Sequence, residues 1–173
     1  MLRVSLKNLA TATRTIVPEY PGLPYACKLH PDWDRSVDIL PGTVMTRVEG
    51  EFVAPIGVAF GDVTATAQKP FGLAGLFVAP KYGIDECTGT DNFAVWVGES
   101  DAVFRIKAPA FDLEATWTNS TNGEKTPVYA NAEGLLTTTA GGDIVGTLID
   151  AQVDKGFIRI SLDKHYPAGG SGN

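Results

Sequence analysis

Any chemistry in this chain would have to start from very few residues. His30, Asp32 and Asp34 stand at spacings of two in HPDWD, and on an extended strand all three would share a face. An imidazole with two carboxylates is a ligand set for a divalent cation. Pro31 interrupts any regular strand and no fourth ligand follows, so the motif reads as a loop anchored by Trp33 with its carboxylates solvated. Asp85, Glu86 and Asp91 lack the alternate positions and closing bidentate carboxylate of a calcium loop. His165, in DKHYP, has no nucleophile elbow to serve. The GGDIVG string is not followed by a helix whose N-terminus could cradle a phosphate. Asp112 and Glu114 share the outward row of a predicted strand, where solvation is the simpler role than a glycosidase pair. Cys27 and Cys87, the two cysteines, form no CxxC pair and read as buried thiols. The residues specify no catalytic set, no metal site and no cofactor, and the chain reads as a non-enzyme.

Composition narrows the partners. A chain of 173 residues fits one compact domain, or one domain with an arm. With 44% hydrophobic residues it can build an ordinary core. A formal net charge of −6 argues against a nucleic-acid surface, which needs clustered Lys and Arg to neutralise phosphates. No apolar run approaches the roughly 20 residues that span a bilayer, so no membrane partner is expected. The first residues, MLRVSLKNLATATRTIV, lack the apolar block of a secretory signal, which points to synthesis in a cytoplasm.

The elements that must position these residues are strands. The stretch from Thr126 to Leu162 reads as a strand, a Glu133–Gly134 turn, a second strand, a pivot at Gly146 and a last strand ending at Leu162. A fainter copy lies upstream: Val44, Glu49 and Gly50 answer to Val128, Glu133 and Gly134, and Gly75 answers to Gly146. Ile158, Ile160 and Leu162 alternate with Phe157, Arg159 and Ser161, the period of a strand with one buried face. The same alternation in AFDLEATWT predicts a strand with Phe111, Leu113, Ala115 and Trp117 in its apolar row. VWVGESDAVFRI reads as two strands joined near Gly98–Asp101, and NSTNGEK as a turn. Nineteen glycines and eleven prolines punctuate the chain too often for long helices, leaving room for one short helix in residues 5–14 or 83–93.

The expected fold class is all-β: a small β-barrel or β-tulip-like body built from hairpin modules, with an extended N-terminal arm and little helix. The expected organisation is an arm over 1–38, a β-rich domain over 39–165 and a Gly/Ser tail over 166–173. Pro18, Pro21, Pro24 and Pro31 keep the arm extended.

The modules PVYANAEGLLTTTAGGDIVGTLIDA and FIRISL, with ILPGTVMTRVEGEFVAP and LAGLFVAP upstream, resemble phage head-decoration (capsid cement) proteins. The likeness covers roughly 38–80 and 125–163. It implies a structural virion protein that binds the outer surface of the capsid, bridges capsomers and stabilises the expanded head. It further implies a homotrimer, made in the host cytoplasm, with the major capsid protein as partner. On that reading Arg3, Lys7, Arg14, Tyr20, Tyr25 and Trp33 are the candidate contacts with capsid or neighbouring subunits, Arg and aromatic residues being favoured there. Two other classes compete. A carbohydrate- or receptor-binding β-sandwich would use Trp33 and Trp96 as a stacking platform, and a tail or connector protein would assemble into larger rings.

Overall fold

The computed structural model describes residues 14–20, 22–34, 37–57, 59–79, 84–85, 93–98 and 102–163. Within them the chain is all-β, with no α-helix and two single 3-10 turns, at Ala65–Ala67 and Val153–Lys155. Both windows left open for a short helix lie largely outside the described residues, and Ile84–Asp85 within one of them is a strand.

Two sheets carry the fold. Strands β2 (Leu23–Leu29), β4 (Phe52–Pro55), β3 (Val44–Glu49), β5 (Pro70–Ala74) and β8 (Phe93–Val97) close into a five-stranded barrel in that order. Its β2–β4 pair is parallel, and β8 closes the ring on β2 through Leu23↔Val97 to Cys27↔Phe93. The second sheet has six strands, in the order β1 (Ile16–Pro18), β9 (Val103–Lys107), β13 (Phe157–Leu162), β12 (Gly146–Gln152), β10 (Thr126–Ala130) and β11 (Leu136–Thr137). A short ribbon pairs β6 (Val78–Ala79) with β7 (Ile84–Asp85). The segment read as an arm is therefore extended in two stretches, and each is a strand of a different sheet. Residues 1–13 and the tail from 164 onward lie outside the described residues.

One barrel wall is buried on both sides, and that explains how so small a chain keeps two cores. Along β8, Phe93, Val95 and Val97 point into the barrel with Cys27, Met45, Val53 and Phe71. Trp96, on the opposite face, packs against Phe104 of the six-stranded sheet with ring centroids 5.9 Å apart. Val44 and Leu73 join it there, with Phe104, Ile106, Ile158, Ile160 and Leu162 filling the space between wall and sheet. The period of two in FIRISL produces this directly: Ile158, Ile160 and Leu162 are buried and their neighbours are half-buried.

The repeated modules are both present. Each turn bears a left-handed glycine, Gly50 (φ 54°) and Gly134 (φ 76°), in the region an L side chain disfavours. The modules also touch, because the Val44 amide donates to the Gly134 carbonyl over 2.8 Å. Gly146 is a close-approach glycine: a Cβ there would lie 2.2 Å from the Ser161 carbonyl oxygen on β13. VWVGESDAVFRI does hold two strands, but they part company, β8 entering the barrel and β9 the sheet.

The predicted strand over AFDLEATWT is a correction. Only Phe111 makes a bridge, to Leu136, and the chain then folds into a loop. Asp112 drives this: its Oδ1 accepts from the Glu114 amide, its Oδ2 from the Thr137 hydroxyl, and its carbonyl from the Trp117 indole. Local side-chain bonding of this type competes with a ladder and wins here. Leu113 is left exposed while Trp117 packs edge-on against Phe111, so the alternation was a coincidence of composition.

Candidate interaction surface

The inward row of the six-stranded sheet is committed to the core, so its outward row is what the molecule can show to a partner. Register places Val17, Arg105, Arg159 and Asp150 side by side across four strands. A second row holds Lys107, Phe157 and Gln152, and a third Val103, Ser161, Thr147 and Pro127. The face thus carries three cations against the carboxylates of Asp150 and of Glu19, just beyond β1, in a chain whose formal charge is −6.

Arg105 and Arg159 lie directly opposite one another, an arrangement that alone would be repulsive. Glu19 resolves it. Arg159 Nε donates to Glu19 Oε2 over 2.6 Å, and the Arg105 guanidinium pairs with Glu19 Oε1. Burial of the carboxylate acts to raise its pKa. The hydrogen bonds from Arg159 and Arg105, with their charges, outweigh that and hold Glu19 below the usual carboxylate range. Arg105 also lies over the Phe157 ring, 5.0 Å from its centroid. The result is a clasp of two arginines, one carboxylate and one aromatic ring, assembled from residues up to 140 positions apart.

The rim adds apolar groups. Tyr20 is 58% exposed, and its amide donates to the Val103 carbonyl over 3.3 Å, which seats it at the start of β9. Ile149 is thrown outward by a bulge between Leu148 and Asp150. The edge strand β1 ends in Pro18, which offers no amide for a further strand. The far edge, β11, is covered by the Phe111 bridge and by the Asp112 amide bonded to Leu136.

The six contact residues expected from sequence fall in different places. Arg3 and Lys7 lie outside the described residues. Arg14 is exposed just before β1, so it and Tyr20 bracket that strand at the margin of the face. Tyr25 belongs to the barrel, 46% exposed, edge-on to Phe71, whose ring also lies under Arg47. Trp33 is buried in the barrel core, as its local loop-anchoring role requires, and presents no ring to a partner. With Trp96 packed on Phe104 and Trp117 on Phe111, no tryptophan offers a free stacking platform for a sugar.

Sequence reading missed Glu19, Arg105, Phe157 and Arg159. Their outward parity was visible in VFRIK and FIRISL, but the pairing of β9 with β13 was not.

The candidate chemical residues do structural work. The His30 ring lies between Phe52 and Phe60, with centroids 5.8 and 5.0 Å away, and its Nδ1 accepts from the Asp32 amide. Among the described residues no group of three His, Cys, Asp or Glu side chains converges. Cys27 is a buried thiol whose pKa is pushed up by burial, with Arg47 opposing. Cys87, Glu86, Asp91 and His165 lie outside the described residues. A cleft of about 160 Å³ between Ile56–Gly57, Gln68, Ala130–Ala132 and Gly141–Asp143 contains no acid–base pair.

A family model described as phage cement protein matches residues 1–173, the full length of the chain. No curated protein and no solved structure gives a match.

Proposed function

The chain belongs to the phage cement protein family and is a structural protein of the phage capsid; from that premise we propose that it sits on the outside of the expanded head. There it bridges neighbouring capsomers as a homotrimer, with the major capsid protein as partner, and holds them against the outward push of packaged DNA. It is made in the host cytoplasm and does no chemistry.

The observation that carries this reading is the outward face around the Glu19 clasp. A cement protein needs contact groups that are rigid before docking, because each long side chain frozen at an interface costs about 0.5–1.5 kcal/mol. Arg105 and Arg159 are already held by Glu19, and Arg105 also by Phe157. Arg and aromatic residues are the types that dominate such contacts. Arg14 and Tyr20 extend the face, Tyr25 adds a contact from the barrel, and Arg3 and Lys7 add basic groups upstream, while Trp33 acts from within as support. The two-core body behind the face resists bending as load passes from one capsomer to the next.

Heads of the parent phage assembled without the protein supply the test. They should release DNA at a lower temperature than complete heads, and added purified protein should restore the higher one. Identical release temperatures with and without the protein would remove the stabilising role.

A further inference from the structure

The loop between Trp117 and β10 contains the only asparagine in the chain that is followed by glycine, Asn122–Gly123. Asn122 is also the only non-glycine residue with positive φ among the described residues (73°), and Gly123 follows at 76°. Two consecutive left-handed residues form the tight turn that Asn-Gly favours. The turn is exposed, and a Cβ at Gly123 would meet nothing within 4 Å. Among the described residues no hydrogen bond engages the Gly123 amide or the Asn122 carboxamide. The loop is tied down only on either side of this dipeptide. Asn119 pairs with both backbone groups of Ala151, and the Ser120 hydroxyl donates to the Glu124 carbonyl.

We propose that Asn122 is a site of spontaneous deamidation and isoaspartate formation in the folded protein. The Gly123 backbone nitrogen loses its proton and attacks Asn122 Cγ. The new N–Cγ bond forms as the Cγ–Nδ2 bond breaks, and ammonia leaves with the displaced proton. Water then opens the succinimide at either carbonyl, giving aspartate or isoaspartate, with no change in oxidation state. Glycine speeds the attack because a side chain at 123 would crowd the attacking nitrogen. An exposed turn is required because ψ of Asn122 must rotate to bring that nitrogen onto Cγ, and nothing packs against this one. Each event adds one negative charge. The isoaspartate product also lengthens the main chain between the Asn119 anchor and β10, loosening the grip on Ala151.

The test is to age the full chain, folded, in mildly alkaline buffer and to follow the tryptic peptide that ends at Lys125 by mass spectrometry. Enzymatic methylation of isoaspartate serves as an independent readout. Conversion should accumulate at Asn122 several-fold faster than at Asn119 or Asn131, with a matching acidic shift on isoelectric focusing. Asn122→Gly keeps the left-handed turn and should remove most of the isoaspartate signal from this peptide, leaving only the slower contribution of Asn119. Conversion at Asn122 no faster than at Asn119 and Asn131, or an undiminished signal in Asn122→Gly, would overturn the proposal.

Discussion

Replacing Glu19 with Gln removes one charge from the clasp and almost no volume, so it isolates the electrostatic contribution. The Glu19 side chain is 15% exposed, and its partners Arg105 and Arg159 are 40% and 31% exposed. That places the triad between exposed pairs, worth about 0–1 kcal/mol, and buried ones whose disruption costs about 3–5 kcal/mol. Solvent screening of the half-exposed arginines argues for the lower part of that interval, so the expected loss is about 2 kcal/mol. For a domain of this size such a loss lowers Tm by about 4–8 °C. The pH dependence is the sharper test. In the unfolded chain Glu19 titrates as an ordinary carboxylate, and the two arginines hold its folded value lower. Its contribution is therefore full above the unfolded value and is lost as pH falls through the folded value. Glutamine does not titrate, so the difference between wild type and E19Q should be largest near neutrality and should close in acid. Urea unfolding of both proteins across that range measures it. Equal midpoints at neutral pH would refute the clasp, and a gap unchanged in acid would show that packing, not charge, is responsible.

Gly146→Ala should cost about 3 kcal/mol or more, because its Cβ would meet the Ser161 carbonyl oxygen at 2.2 Å. Gly141→Ala, with nothing within 4 Å, should leave the denaturation midpoint nearly unchanged. In a Cys87→Ser background, Cys27 should resist thiol reagents at neutral pH while folded and react at once in denaturant, since it is buried with a raised pKa. Tyr20→Ser should change stability by less than about 0.5 kcal/mol yet weaken binding to expanded heads by about tenfold. Equal binding by the two proteins would exclude Tyr20 as a contact.

What was legible in the sequence was whatever depends on nearest neighbours. Alternation in FIRISL gave the buried row of β13, and the Glu-Gly pairs gave the two turns with left-handed glycines. Alternation failed at AFDLEATWT because Asp112 can satisfy local amides, the Thr137 hydroxyl and, through its own carbonyl, the Trp117 indole, and these bonds are invisible to a hydrophobic pattern. The prolines signalled extended chain, which the described residues show at Ile16–Pro18 and Leu23–Leu29, but not its pairing, since β1 finds β9 and β2 finds β8 across long stretches of sequence. The clasp was illegible for the same reason. Glu19 carries no local sign of its partners, and only the order β1-β9-β13 brings them together. Trp33, read both as loop anchor and as contact, is placed by its burial in the barrel core.

Family membership makes the chain a structural protein of the phage capsid, and the load-bearing role proposed for it depends on the protein engaging its shell. Co-sedimentation of the purified protein with unexpanded and expanded shells of the parent phage tests this most directly. Saturable binding to expanded shells alone is expected, at a fixed ratio to capsid subunits and lowered by Tyr20→Ser. Failure to bind either shell, or equal binding to both, would contradict it.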